Sequence, residues 1–238
     1  MNSSGNDYLK LYKLQDKFLA WWITLDLPFY LTGGTALGRF YLNHRYSEDL
    51  DFFVNAHPKY HKYIDEIKRN IVKKFDVNIE QAVFADEFTR FFISEDDLNL
   101  KIDLVNDIDY RTGNSIQTSY GAVDTPANIL SNKITAIISR DEPKDVFDIV
   151  HIAAHYSFNW ADVFNEAKNK SVINEIDVEQ RLFQFPVEWL ENVDWLSGPL
   201  DHTTFKSNLL KIADDFLLGK DNSLGIGKIS LMDAKPIS

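Results

Sequence analysis

Asp49 and Asp51 stand two residues apart, a short helix-like segment after the turn Gly33-Gly34-Thr35. Strand side chains alternate, so these carboxylates project from one face. Two hard oxygen ligands side by side suit a Mg²⁺ ion shared with a triphosphate. A Gly-Gly-Thr turn can offer backbone N–H groups to phosphate, helped by the positive dipole end of the helix that follows, and Thr35 could add its hydroxyl. A third carboxylate, Asp103, lies with Lys101 on the polar face of a strand whose other face carries Leu98, Leu100, Ile102 and Leu104. If the two strands are neighbours, all three carboxylates converge. Such a set fits transfer of a nucleotidyl group. Each part has a plainer reading: exposed strand faces often carry Asp, and most Gly pairs are only turns. Their spacing together favours the chemical one. No Gly-x-x-x-x-Gly-Lys-Ser/Thr or Gly-x-Gly-x-x-Gly pattern occurs, which argues against a P-loop NTPase and a dinucleotide fold.

A second polar set comprises Lys133 and Arg140, seven apart on one helix, then Lys144, Asp148, His151 and His155 on the next. Apolar stripes oppose both: Leu130, Ile134, Ile137 and Ile138 on the first, and Val146, Phe147, Ile149, Val150 and Ala153 on the second. By periodicity alone these are solvated faces with a Lys144–Asp148 i,i+4 ion pair, and the histidines are surface or packing residues.

The elements that must position these groups are legible. Leu11, Leu14, Phe18, Trp21, Trp22 and Leu25 mark an amphipathic helix over about 7–26, ended by Pro28. Phe29-Tyr30-Leu31 reads as a short buried strand. Thr35 reads as the N-cap of a helix over 36–42, and 49–54 as a strand. A Lys- and Ile-rich helix over 57–75 leads to strands at 77–84, 89–94 and 98–105, and 106–119 is a loop or hairpin. Asp124-Thr125-Pro126 announces a helical half, with helices over 126–139, 144–155, 159–168, 177–183 and 204–218. The expectation is an α+β protein: a mixed sheet flanked by helices over 1–122, a helical bundle over 123–220, and a loosely held tail over 221–238.

Composition bounds the function. Seventeen Phe, 10 Tyr and 5 Trp with 45% apolar residues describe a folded protein. There is no Cys, so disulfides, Zn–thiolate sites and thiol nucleophiles are excluded, in keeping with a cytoplasmic location. No secretory signal or membrane-length apolar run is read. The net charge of −11 disfavours tight, non-specific binding to a nucleic-acid backbone.

Gly33-Gly34-Thr35-Ala36-Leu37, Arg45-x-Ser47-x-Asp49-Leu50-Asp51-Phe52 and Lys133-x-x-Ala136-x-x-x-Arg140-x-x-x-Lys144-Asp145-x-x-Asp148 together resemble the signatures of the AbiEii/AbiGii toxin family. These are nucleotidyltransferase-like proteins of the DNA-polymerase-β superfamily, found in abortive-infection and toxin–antitoxin systems. The resemblance runs from about Phe29 to His155. It implies a nucleotidyltransferase-type sheet domain, with Asp49 and Asp51 as ligands of Mg²⁺ or Mn²⁺ and Asp103 as a third. Gly33, Gly34, Thr35 and Ser47 would belong to the NTP site. Lys133 would contact the triphosphate, and Asp148 would complete the catalytic set. Arg45 and Arg140 would clamp phosphate or orient the carboxylates. The implied acceptor is RNA (tRNA included) or protein, and the implied partner a cognate antitoxin. Two departures stand out: the glycine motif carries Thr where Ser is common in the superfamily, and the chain is short for the family. A small-molecule nucleotidyltransferase of the aminoglycoside-modifying kind is the alternative enzyme, since an acidic surface attracts cationic drugs. A non-catalytic nucleotide-binding module is the alternative of another class.

Overall fold

The computed structural model describes residues 5–237. The chain divides into two compact units. The first comprises the chain up to Ala36, Tyr46–Tyr110 and Ser115–Asp124, and the second Leu37–Arg45, Arg111–Asn114 and everything from Thr125.

The first unit contains helix α1 (Gly5–Trp22) and an eight-stranded mixed sheet. Its strands are β1 (Tyr30–Thr32), β2 (Leu50–Asn55), β3 (Asp76–Val77), β4 (Val83–Phe84), β5 (Phe88–Glu95), β6 (Leu98–Asp107), β7 (Ile116–Thr118) and β8 (Gly121–Val123). The order is β3-β5-β6-β2-β1-β8-β7, with β4 also on β5. β2 runs parallel to β6 and antiparallel to β1. Alternation decides the faces. Leu50, Phe52 and Val54 of β2 are buried with Leu100, Ile102 and Leu104 of β6, while Asp51 and Asp103 point the other way. Trp22 of α1 covers Phe52 with ring centroids 4.2 Å apart, and Phe18 packs beside both. Helix α3 (Tyr60–Ile71) buries Ile64, Ile67 and Ile71, and its Tyr60 hydroxyl donates to the Leu104 carbonyl (2.8 Å).

Helix α2 (Gly33–Leu37) begins at Gly33, three residues earlier than the capping pattern predicts. Gly33 has φ +69°, a conformation that glycine adopts without steric cost, and the chain turns there directly from β1 into the helix. Thr35 is therefore inside the helix and is not its cap. The helix continues as a π-helical turn over Gly38–Leu42 and stops at Asn43, which is left-handed (φ 48°).

The second unit is helical: α4 (Pro126–Ser139), α5 (Pro143–His155), α6 (Trp160–Lys168), α7 (Glu175–Phe183) and α8 (His202–Leu217). Thr125, Asn159, Asn174 and Asp201 each cap a helix by accepting from a first-turn N–H. The single boundary read from sequence misses two excursions. Phe40 and Tyr41 are buried apolar residues on one, and on the other the Thr112 amide donates to Asn128 Oδ1 (2.9 Å). The segment after Gly219, read as loose, is tied in. The buried Asn222 amide donates to the carbonyls of Ala153 (2.6 Å) and Tyr156 (2.8 Å), and the Ile237 amide donates to Phe40 O (2.6 Å). Among the described residues no helix is long and apolar enough to cross a membrane.

Candidate active site

The carboxylates are placed by strand register. Asp51 of β2 pairs with Asp103 of β6 across the parallel ladder, and Asp103 pairs with Arg90 of β5 across the antiparallel one. Thr32 of β1 lies on the other side of Asp51. One row of side chains therefore crosses four strands in the order Thr32, Asp51, Asp103, Arg90. Asp49, just before β2, is joined to Lys101 of β6 by an ion pair of 2.5 Å. The Arg90 guanidinium grips both oxygens of Asp103 (2.7 Å each). Its pKa is raised, chiefly by that hydrogen bond and also by the charges of Asp103, Asp49 and Asp51, so all three carboxylates act on one cation. The charge of Asp103 is thus balanced within the protein.

Backbone geometry brings the glycine turn against Asp51. A Cβ built on Gly33 would stand 2.7 Å from Asp51 Oδ2, so only glycine lets the carboxylate lie over the turn. Thr35, expected at a phosphate, is fully buried; its hydroxyl donates to the Asp49 carbonyl and exchanges a hydrogen bond with the Ser47 hydroxyl (2.8 Å). Thr35 and Ser47 thereby hold the segment that carries Asp49.

For a divalent cation the donor chemistry fits in part. Asp49 and Asp51 are hard oxygen donors, half-exposed at the glycine cradle. Among the described residues, however, no group of three or more His, Asp or Glu side chains is arranged to hold a metal ion. Asp103, the third ligand read from sequence, has both oxygens engaged by Arg90.

In the second polar set, within the helical unit, Lys133 and Asp148 are buried rather than solvated, while Arg140 and His155 are exposed. Asp148 is wholly buried and accepts from Arg45 through two nitrogens (2.6 and 2.8 Å), from His44 Nε2 (2.8 Å), and from Lys133 (2.8 Å). It does not form the i,i+4 pair expected with Lys144. Lys133 also donates to Asp145 (2.6 Å), which Arg140 grips in turn (2.7 and 3.0 Å). Burial works to neutralise Asp148, but Arg45 and Lys133 outweigh it and hold the carboxyl well below its usual range. Burial likewise opposes the Lys133 charge, and Asp148 and Asp145 raise its pKa regardless. His44 is different: burial outweighs its bond to Asp148 and lowers its pKa, so it is a neutral imidazole giving Nε2–H to the carboxylate. Its buried Nδ1 has no hydrogen-bond partner. His151 packs against Phe147 (ring centroids 4.1 Å apart) and lies 5.0 Å from the His44 ring.

The two sets of residues that the sequence motifs pick out thus form one polar cluster in each unit. The family described as nucleotidyl transferase AbiEii toxin, type IV TA system, matches residues 19–191. The chain belongs to the AbiEii nucleotidyl transferase toxin family. Among curated proteins none matches the sequence. Solved structures share the fold. MenT4, a nucleotidyltransferase toxin from Mycobacterium tuberculosis H37Rv, superposes with TM-score 0.64 at 16% identity, covering 89% of this chain and 84% of that one. JHP933 from Helicobacter pylori gives TM-score 0.59 at 20% identity, covering 91% and 94%.

Within this AbiEii chain the sequence reading overlooked Arg90 and gave Lys101 no role. Lys101 could have been found, since it shares the polar face with Asp103. Arg90 could also have been found, since Phe88–Glu95 and Leu98–Asp107 are joined by the two-residue turn Asp96-Asp97, and a hairpin so closed sets Arg90 opposite Asp103.

Proposed function

We propose that this nucleotidyltransferase attaches an NMP to an acceptor hydroxyl, with Asp49 and Asp51 as the metal-holding carboxylates. The acceptor oxygen attacks the α-phosphorus, the bond from that phosphorus to the bridging oxygen breaks, and pyrophosphate leaves. The observation that carries the reading is the row Asp51–Asp103–Arg90, with Gly33 pressed against Asp51. Mg²⁺ or Mn²⁺ held by Asp49 and Asp51 would neutralise triphosphate charge and lower the pKa of the attacking hydroxyl. Asp103 orients Arg90, and Lys101 balances Asp49, so two cations stand at the carboxylates, ready to meet phosphate oxygens. The Gly33-Gly34 backbone approaches the phosphates, while Thr35 and Ser47 position Asp49.

In the helical unit, Arg45, Lys133 and Asp148 serve as a buried framework and Arg140 neutralises Asp145 from the surface. The acceptor is RNA, tRNA included, or protein, and the family's toxin–antitoxin setting supports growth inhibition relieved by a cognate antitoxin in the cytoplasm.

Pyrophosphate release tests the reading. The protein, Mg²⁺ and each NTP are offered total RNA, cell protein or an aminoglycoside in turn. Release that needs Mg²⁺ and a macromolecule supports the proposal. Release only with the drug supports the small-molecule enzyme, which the charge of −11 favours.

A further inference from the structure

The segment Tyr46–Asp49 joins no β-ladder, because β2 begins at Leu50. Something else must fix the direction in which Asp49 leaves the backbone. Helix α1 supplies it. Gln15, fully buried, donates from Nε2 to the carbonyls of Ser47 (3.0 Å) and Glu48 (3.1 Å). The Ser47 amide donates to the Tyr12 hydroxyl (3.1 Å). Tyr8 stacks flat on Tyr46, centroids 4.5 Å apart, and its hydroxyl donates to Glu48 Oε1 (2.9 Å). Consecutive backbone groups of the segment are thus held from outside by α1, while Thr35 holds the Asp49 carbonyl. Gln15 interrupts the stripe Leu11, Leu14, Phe18, where an apolar residue would pack at no polar cost. Tyr12 and Gln15 also precede the matched residues 19–191, so the family pattern assigns them nothing.

We infer that Gln15 and Tyr12 are positioning residues of the nucleotidyl-transfer site, acting through the Ser47–Glu48 backbone to aim Asp49 beside Asp51. The inference rests on the metal-holding role proposed for those carboxylates. A ligand pair displaced by even a fraction of an ångström holds a cation less well and misaligns the reacting groups.

Gln15→Met keeps the size of the side chain and removes the donor; Tyr12→Phe removes the hydroxyl that accepts from the Ser47 amide and carries the test if Gln15→Met does not fold. Mn²⁺ binding to the full chain is read by electron paramagnetic resonance, alongside kcat and KM for NTP and thermal melting. The expected result is Mn²⁺ affinity weakened about tenfold and kcat lowered about 10- to 100-fold. KM for NTP changes less than about threefold, since ground-state binding is retained. Variants that melt earlier but keep wild-type Mn²⁺ affinity and kcat overturn the inference, leaving α1 a structural support only. Mn²⁺ binding that survives Asp51→Asn in the wild-type background instead overturns the metal reading beneath it.

Discussion

Asp51 and Asp103 stand opposite one another on neighbouring parallel strands, yet only Asp103 is clasped by an arginine on the next strand. Two carboxylates in register on one face repel, and Arg90 offsets this by neutralising one of them. Asp51 remains half-exposed over the glycine turn. On the function proposed above, Asp103 orients Arg90 and Asp51 faces the substrate.

Asp51→Asn and Asp49→Asn should therefore lower transfer on the order of a thousandfold, the size of effect seen when charge stabilisation is removed from an active site. Folding should be unharmed, because both side chains are half-exposed and the change relieves like-charge repulsion. Steady-state kinetics beside thermal melting would check this; a parallel loss of melting temperature and activity would contradict it.

Gly33→Ala puts a methyl group where Asp51 Oδ2 lies, at a left-handed φ of +69°. The expected cost is about 1–3 kcal/mol of stability, with activity falling further than stability does because Asp51 must move. Denaturant titration gives the first and initial rates the second.

Asp148→Ala leaves Arg45 and Lys133 buried without their shared counter-charge. Removing one partner of a buried pair costs about 3–5 kcal/mol, enough to unfold much of a domain of ordinary stability. Urea unfolding at neutral pH measures it. Lys144→Ala, which leaves the Asp148 cluster intact and removes a cation over the Trp195 ring (5.9 Å), should cost less than Asp148→Ala.

Acid should loosen the helical unit before it protonates the carboxylates. Burial lowers the His151 pKa to about 4, and burial also lowers that of His44. The unfolded chain takes up these protons as pH falls through about 6.5, while the folded protein does not until about 4 for His151, so stability declines across that window. His151 alone contributes up to about 3 kcal/mol of this loss. Asp148 and Asp145, held low by Arg45, Lys133 and Arg140, add their share only below the usual carboxylate range. Melting curves between neutral pH and about 4 should show the decline, and His151→Phe, which keeps the ring packing, should flatten it.

The sequence made the strands and helices legible because burial writes a period into them: β6 alternates, and α4 and α5 carry clear apolar stripes. What it could not state is which elements meet. The Asp51–Asp103 pairing depends on register between strands far apart in the chain, which no local pattern encodes, whereas Arg90 meets Asp103 across a hairpin. Helical spacing put Lys133 and Asp148 on polar faces correctly, but whether a polar face meets water or His44 and Arg45 is a tertiary fact. Thr35 illustrates the same limit. Its type and position suit an N-cap, but the helix already starts at Gly33, and the Asp49 carbonyl that takes its hydroxyl hydrogen becomes visible only once the chain has folded back. Gln15, a polar residue inside an apolar stripe, was not singled out in the sequence, although that contrast was there to read.

The most direct test incubates wild type and the Asp49→Asn/Asp51→Asn double variant with NTPs radiolabelled at the α-phosphate, Mg²⁺, total RNA and cell extract. Label transferred to RNA or protein by wild type alone is the predicted result, and its position on a gel names the acceptor. Equal labelling by wild type and the double variant would contradict the central claim that these carboxylates carry out the transfer.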